Sequence, residues 1–594
     1  MIFGKHINKY YFKYIHFFIF GIAALIAVDF AQLEIPELIG SLIDLLETKT
    51  ADLQHVEGFI VEMLKIMGIM FVGRFLWRYT IFGNGVRIET DLREKMFKHS
   101  EKMSQSYYQL NKVGGLMALY TNDLSAVRQS FGQGIVMLVD ALFLGTIALY
   151  KMFNLELKLT LLSLFPLIVM AIAAGIIGRY MRKKFEERQK AYADLSDFSQ
   201  ESFSGIAVIK AFVKESKELT AFSKVNQNSM DKNIEFVKAA TLLRILIGVL
   251  ISSVIVIILG YGGYLVYTGN VSGERGFTIG DLTKFIAFFS TLTWPMMAIS
   301  QLINLRSQAK ASLNRINTLL NEKAEVSDKA DVNNDVDITG NIEFKNLNFT
   351  YPNSENQVLH DISFSIKKGE SVGIVGRTGS GKTTIVDLLL RIYNIEPGTL
   401  FLDGEDIMNL PIKKVRESIA YVPQDNFLFS DTIENNIGFY SKNTNKSRVV
   451  EAAKLADVDE NISEFKEKYG TILGERGVTV SGGQKQRISI ARALIKDAPI
   501  LILDDSVSAV DTKTEEQILE NLSKIRKGKT TILIAHRVTT IKNMDKVLII
   551  DEGRVNGFGT HDELVKTNEL YNNMIRLQKL EDEVRGEDNE RVYS

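Results

Sequence analysis

Residues Gly376, Arg377, Thr378, Gly379, Ser380, Gly381, Lys382 and Thr383 have the types and spacing of a phosphate cradle. They follow an apolar run, Ser371–Val375, and open a helix-forming stretch, Thr384–Tyr393. Glycines in such a loop let backbone N–H groups turn inward around phosphate oxygens, and the helix N-terminus adds positive partial charge. Lys382 is placed to reach the β- and γ-phosphates of a nucleotide, and the Thr383 hydroxyl to ligate Mg²⁺. Further along, Pro499–Asp504 (PILILD) reads as a buried strand ending in a carboxylate. An aspartate there orients Mg²⁺ and its waters.

These residues need a sheet to hold them. After about residue 340, short β-rich runs alternate with helical stretches: IEFKNLNF, SVGIVG, ILILD, TTILIAH and KVLIID. The alternation predicts an α/β domain with a mostly parallel sheet over residues 341–576. A polar, acidic stretch at 321–340 reads as a linker before it, and residues 577–594 as a charged tail. With 594 residues the chain is too long for one compact core. A formal net charge of −1 argues against a nucleic-acid partner. The chain has no cysteine, which excludes disulfides, thiolate metal sites and cysteine nucleophiles.

The first 320 residues differ in kind. Six stretches, near 15–38, 59–82, 131–152, 157–178, 243–267 and 279–303, are long and apolar. Crossing a bilayer takes about 20 residues each. They predict an α-helical membrane domain of six transmembrane helices. The N-terminal basic and apolar run lacks a small-residue cleavage site; Glu34, Pro36 and Glu37 follow it instead. It reads as an uncleaved first span behind a short amphipathic stretch carrying Lys5, Lys9 and Lys13. Spans three and four are joined by little more than Asn154, Leu155 and Glu156, whereas about 83–130 and 179–242 form long connections. The longer one carries Arg179, Arg182, Lys183, Lys184, Arg188 and Lys190. By the positive-inside rule the long connections, both termini and the α/β domain are cytoplasmic, in a multi-pass protein of the cytoplasmic (inner) membrane. The connections read as helices continuing out of the bilayer, as levers would.

Several further motifs carry a resemblance. Val480-Ser481-Gly482-Gly483-Gln484 resembles the LSGGQ signature of ABC ATPases, and Gln424 in YVPQDNFLF resembles their Q-loop. Tyr351 in FTYPN matches the aromatic residue that stacks on adenine; Ser508–Asp511 resembles the D-loop, and His536 in TILIAHR the switch histidine. YQLNKVGGLMALYTNDLSAVRQ and SGIAVIKAFVKE look like the two cytoplasmic coupling regions of ABC exporters. The chain is thus similar to an ABC exporter half-transporter, a membrane domain fused in front of a P-loop ABC ATPase domain. The resemblance implies that Tyr351 and Gly376–Thr384 bind ATP, and that Thr383, Gln424 and Asp504 serve Mg²⁺. It implies catalytic roles for Asp505, His536 and Gln424, and a D-loop role for Asp511. Ser481, Gly482, Gly483 and Gln484 would serve the ATP held by a partner domain, so a dimer is required.

Two positions depart from the family: Val480 stands in place of the signature's leucine, a mild apolar change, and the second bears on catalysis. Where a glutamate usually polarises the attacking water, this chain has Asp505. Its oxygens sit about 1.5 Å further back, one carbon–carbon bond. A general base must come within about 2.6–3.2 Å of its proton, and a misplacement of ~1 Å costs on the order of 10²-fold. The substitution resembles the degenerate subunit of heterodimeric multidrug exporters. It implies a slow site here and a partner half-transporter that carries the glutamate.

Within the first span, Glu34, Glu37, Ser41 and Asp44 share one helical face, and Asp29 lies deeper. Acidic groups inside a span are costly and face a cavity or a partner. Asp29 and Glu34 are candidates for the path of a cationic substrate or of protons, with Asp140 and the aromatic residues Phe285, Phe288, Phe289 and Trp294 behind them. The leading expectation is ATP-driven export of small lipophilic or cationic compounds by alternating access. A dedicated exporter of a lipid, peptide or haem-like compound, and an ATP-gated channel or sensor, are the competing readings.

Overall fold

The computed structural model describes residues 4–50, 52–272, 276–329, 331–440, 445–474, 477, 480–508 and 510–592. Residues 1–3 ahead of the first span, Ala330 in the predicted linker, Ala509 in the expected D-loop and 593–594 of the predicted tail lie outside them. The chain divides into two compact units. One holds Met1–Phe97 and Met117–Asn321; the other holds Lys98–Leu116 and Glu322–Ser594.

The first unit is helical. After a short helix, Asn8–Lys13, comes a helix of 33 residues, Ile15–Glu47. Helix Leu53–Trp77 runs against it, and glycines set how closely: a Cβ on Gly73 would stand 2.5 Å from Val28 Cγ2, and one on Gly21 2.7 Å from Ile81 Cγ1. A π-helical turn, Arg78–Phe82, leads into Gly83–Ser100. Helices Gln133–Leu142 and Leu144–Leu155 follow. Two very long helices come next, Leu157–Ser204 with 48 residues and Glu215–Ser272 with 58. At about 1.5 Å per residue both far exceed the ~30 Å of a bilayer core, as the sequence predicts for helices that leave the membrane and return. They run antiparallel, with Lys184 on one reaching Glu235 on the other at 2.8 Å and the Arg188 guanidinium 4.4 Å from the Phe236 ring centre. Helix Ile279–Asn321 closes the unit.

Among the described residues, five helical runs are long and apolar enough to cross a membrane: Ile15–Glu47, Val113–Leu155, Leu157–Ser204, Glu215–Gly269 and Ile279–Asn321. The predicted second span, 59–82, is helical but is not among them, because Glu62, Lys65 and Arg74 break its apolar run. Along Leu157–Ser204, the side chains of Leu161, Phe165, Ile168, Ile172 and Ile176 are exposed at helical spacing. That stripe is the one a lipid environment covers. The opposite, buried side gathers Leu33, Leu144, Ala148, Met152, Leu159, Phe285, Phe288 and Leu292 into one core.

The second unit is the α/β domain. Its strands are β1 (Ile342–Thr350), β2 (Gln357–Ile366), β3 (Ser371–Val375), β4 (Leu400–Leu402), β5 (Glu405–Asp406), β6 (Ile419–Val422), β7 (Ile500–Asp504), β8 (Thr530–Ile534), β9 (Lys546–Asp551) and β10 (Arg554–Gly559). An antiparallel sheet has the order β2-β1-β4-β5, and a larger sheet the order β10-β9-β3-β8-β7-β6. In the larger sheet β9, β3, β8, β7 and β6 are mutually parallel, and β10 pairs antiparallel at the edge. Side chains alternate between faces with a period of two. Ile500, Ile502, Ile532, Ile534, Val372 and Ile374 therefore enter one core, under the antiparallel sheet. Leu501, Leu503, Leu533, Val547 and Ile549 enter the other, shared with the helices on the opposite face. Burial on both faces is why these strands read as unbroken apolar runs.

The second unit takes in a piece of chain far from the rest in sequence. Lys98–Leu116, which the sequence places on the membrane side of a boundary at residue 320 and whose end, from Tyr108, falls in the expected first coupling region, clusters with the α/β domain. Ser104 Oγ donates to Glu325 Oε2 at 2.8 Å, and Asn394 Nδ2 donates to the Glu325 carbonyl at 2.7 Å.

Candidate functional site

Four of the chemical motifs of the α/β domain follow the C-terminal ends of parallel strands. The phosphate loop follows β3, Gln424 follows β6, Asp504 ends β7 with Asp505 just past it, and His536 follows β8. The register brings these ends level: Asp504 pairs with Ile534, and Val422 with Leu503. In open α/β sheets this edge is where ligands bind.

The loop geometry depends on two glycines. A Cβ on Gly376 would stand 2.0 Å from the Ile550 carbonyl oxygen, so no side chain fits where the loop leaves β3. Gly381 has φ +98°, left-handed backbone that favours glycine, and it stands as the N-cap of helix Lys382–Leu389. Arg377, Thr378, Gly379 and Thr383 are exposed, and Ser380, Gly381, Lys382 and Thr384 are buried. The Lys382 ammonium donates to the Gly376 carbonyl at 2.8 Å and the Arg377 carbonyl at 2.9 Å, which holds it across the mouth of the loop.

Burial sets the electrostatics. It pulls the Lys382 ammonium below its usual range, against the pull of Asp504 and Asp505. It pushes the Asp504 carboxyl up, a rise opposed by a hydrogen bond with Thr383 and by the nearby charge of Lys382. Asp504 is 1% exposed, and its Oδ2 has no hydrogen-bond partner, nor has Ser380 Oγ. A cation held by the acid and a polyanion held by the amine would relieve both strains at once.

Tyr351 stands beside this loop. Its hydroxyl is 2.8 Å from Thr384 Oγ1, and its ring meets Tyr393 edge-on, with centres 5.2 Å apart. Asp505 and His536 come together: Asp505 Oδ2 is 3.7 Å from His536 Nε2. Asp505 adopts φ +46°, unusual for an aspartate. Its N–H donates to the Ile534 carbonyl at 3.0 Å, and its carbonyl accepts from Ser508 Oγ at 2.9 Å. Gln424 is exposed at the end of β6. Asp511 is the N-cap of helix Thr512–Ile525, accepting from the Thr514 N–H at 3.0 Å.

The signature residues occupy a separate place. Ser481 caps helix Gly482–Leu494 in a reciprocal capping box with Gln484. Ser481 and Gly482 are exposed, and a Cβ on Gly482 would meet nothing within 4 Å. Val480, where the family pattern has leucine, is buried in the apolar core, so its substitution is a matter of packing.

Sequence reading missed Asp387, on the helix that the phosphate loop opens. Burial, then the charge of Asp504, pushes its carboxyl up to about 6. The signal available was an acid on an otherwise apolar helix, IVDLLL. In the membrane unit the acids of the first span have different settings. Glu34 accepts from Lys151 Nζ at 2.9 Å, and Glu37 from the same amine at 3.4 Å. Asp44 accepts from the Gly280 N–H at 2.8 Å. Asp29 is buried, five residues before Glu34 and so on another face of the helix.

Comparison with known proteins agrees with this geometry. Residues 18–296 match the ABC transporter transmembrane region, and residues 359–508 match the ABC transporter family. The chain is 37% identical to the probable multidrug resistance ABC transporter ATP-binding/permease protein YheI of Bacillus subtilis, over 94% of this chain and 95% of that one. It is 33% identical to the multidrug resistance-like ATP-binding protein MdlA of Escherichia coli, over 94% of each chain. Its fold matches that of a bacterial Atm1-family ABC exporter with ATP bound, with a TM-score of 0.72 and 25% identity, over 96% of this chain and 98% of the other. Helices that cross the membrane, a phosphate loop at the sheet edge and relatives of the same build agree, and the chain belongs to the ABC transporter family, as a half-transporter that joins one membrane domain to one ATP-hydrolysing domain.

Proposed function

We propose that this half-transporter is the hydrolysis-impaired member of a heterodimeric multidrug exporter, moving lipophilic or cationic compounds out across the cytoplasmic membrane by alternating access. Asp505 carries the reading. Its carboxylate is one methylene short of the expected glutamate, and its backbone is tied on both sides, to Ile534 and to Ser508. A backbone held this way does not readily advance to make up the missing ~1.5 Å. The exposed, capped Ser481 turn supports the complementary half of the reading, a working signature offered to the partner's ATP. ATP then favours the closed pair by differential binding, and hydrolysis at the partner's site resets it.

Mg²⁺ fits the residues present. The donors are all oxygen, from the Thr383 hydroxyl, the Asp504 carboxylate and the Gln424 side chain, as a hard cation prefers. Asp504 Oδ2 is buried without another partner. The described residues contain no cluster of three His, Asp or Glu side chains able to hold a metal, in keeping with an ion that arrives with the nucleotide's phosphates and water. The dimer has further support in the tip joining the two longest helices. There Phe203, Val208, Phe212 and Val213 are between 61% and 80% exposed, an apolar surface that a second chain would cover. The basic residues between 179 and 190 support a cytoplasmic tip, with both termini and the ATPase domain on that side. Helix Leu53–Trp77, packed on the first span, completes six crossings on this reading.

The test is turnover by the purified pair. Asp505→Glu should raise ATPase activity by about 10-fold or more, and Asp505→Asn should leave most of it. Loss of the pair's turnover in Asp505→Asn would show that this site does the work and would sink the degenerate-site reading.

A further inference from the structure

The turn that carries His536 is held from outside the sheet. His536 and Arg537 are exposed, between buried Ala535, just past β8, and buried Val538, which starts the short helix Val538–Ile541. The N-cap of that helix, Arg537, gives it no side-chain hydrogen bond. A helix start leaves backbone N–H groups that need a partner from elsewhere. Here the partner comes from 40 residues further on. Gln578 Oε1 accepts from the Val538 N–H at 2.7 Å, and Gln578 Nε2 donates to the His536 carbonyl at 2.9 Å. One side-chain amide thus brackets the turn on both sides of Arg537.

Gln578 lies on helix Glu569–Val592. Tyr571, Met574 and Ile575 precede it at helical spacing on the same face. Tyr571 is fully buried in the apolar core that also holds Val538 and Ile541, and Met574 and Ile575 pack against that core. The helix is therefore anchored one turn before Gln578. The turn is tied on its far side as well. Thr540 Oγ1 donates to Glu515 Oε1 at 2.5 Å, and Glu515 stands on helix Thr512–Ile525, which Asp511 caps.

The two bonds from Gln578 set a demand that few side chains meet. The His536 carbonyl only accepts and the Val538 N–H only donates, so the group between them must donate and accept at once. Glutamate keeps the acceptor and loses the donor. Asparagine falls short by about 1.5 Å, one carbon–carbon bond. Leucine keeps neither function. The carbonyl held here belongs to the histidine itself, whose Nε2 is 3.7 Å from Asp505 Oδ2. Movement of that peptide carries the imidazole with it, and a misplacement of ~1 Å near the chemistry costs on the order of 10²-fold.

We propose that Gln578 is a positioning residue for His536, setting the imidazole against the ATP bound by this chain and making that site depend on helix Glu569–Val592. The proposal rests on the reading of His536 as a residue of the ATP site, and not on the impairment of Asp505.

The test uses the full chain with its partner half-transporter in lipid nanodiscs, with Asp505→Glu so that this chain's own site turns over. Should that substitution bring no gain, the impaired-site reading fails, and the same series is run with Asp505 in place. Gln578→Leu and Gln578→Glu should each lower kcat by about ten-fold, with KM for ATP held within about two-fold. In a His536→Ala chain, Gln578→Leu should change kcat by less than about two-fold, because a residue that acts through the histidine has nothing left to act on. Hydrogen exchange in the nucleotide-free chain gives a second readout. The Val538 amide should exchange about ten-fold faster or more in Gln578→Leu, while strand β8 keeps its protection. An unchanged kcat or unchanged exchange at Val538 overturns the proposal. A rise in KM that accounts for the loss overturns it in favour of nucleotide binding. A loss of equal size with and without His536 overturns it in favour of packing. A His536→Ala chain that turns over as before in both backgrounds also overturns it, since the histidine would then do nothing that needs positioning.

Discussion

Lys382 and Asp504 face opposite problems in the same loop: burial discourages the positive charge of one and the negative charge of the other. A triphosphate and its cation solve both, so removing the amine should be felt first in binding. Lys382→Ala is expected to weaken binding of a fluorescent ATP analogue by about 100-fold, the scale of lost charge-assisted hydrogen bonds. Gly376→Ala should fail for a steric reason, since its methyl would collide with the Ile550 carbonyl. Loss of nucleotide binding with intact membrane insertion is the expected result. Asp387 offers a pH test. Its carboxyl is raised to about 6, by burial and then by Asp504. A raised folded-state value costs nothing below the ordinary carboxylate range near 4; the cost grows between about 4 and 6 and is complete above that. Asp387→Asn should therefore raise the Tm of the nucleotide-free chain in nanodiscs at pH 8, less at pH 5.5, with the gain levelling off above about pH 6.5. A gain independent of pH would refute the titration.

At the scale of elements, the segment Lys98–Leu116 matters because it belongs to the nucleotide unit. Its Gln109 hydrogen-bonds the Tyr393 hydroxyl, and the Tyr393 ring stands edge-on against Tyr351. A shift of the segment thus bears on the residue expected to stack on adenine. Tyr393→Phe should keep ATP affinity within about two-fold, since the ring contact survives, yet reduce substrate stimulation of ATPase. An unchanged stimulation would deny Tyr393 that part. The sheet edge was legible in the sequence because each parallel strand is a short apolar run ending in a chemically distinctive residue. Burial on both faces forces that pattern, and a phosphate loop tolerates few substitutes. The membrane acids were less legible. Glu34 and Lys151 are 117 residues apart, and no local periodicity reports such a pairing, or that Asp140 meets Trp294. The predicted span at 59–82 was legible as a helix from its apolar residues, although Glu62, Lys65 and Arg74 give helix Leu53–Trp77 a mixed composition.

At the scale of the whole molecule, the two ends of the nucleotide chemistry are separate surfaces of one chain, the phosphate loop at the sheet edge and the signature on an exposed helix turn. Combining a Ser481→Arg chain with its partner should cut the pair's ATPase by about 100-fold or more, because a bulky cation would replace a hydroxyl in the partner's site. Asp505→Asn in the same pair should cost little. The reverse ranking would mean that this chain hydrolyses its own ATP. The exposed Ser481 turn also bears on inheritance. On the paired reading, its residues are selected through the performance of an active site that another gene completes. On that reading, the two genes must be kept, lost and transferred together.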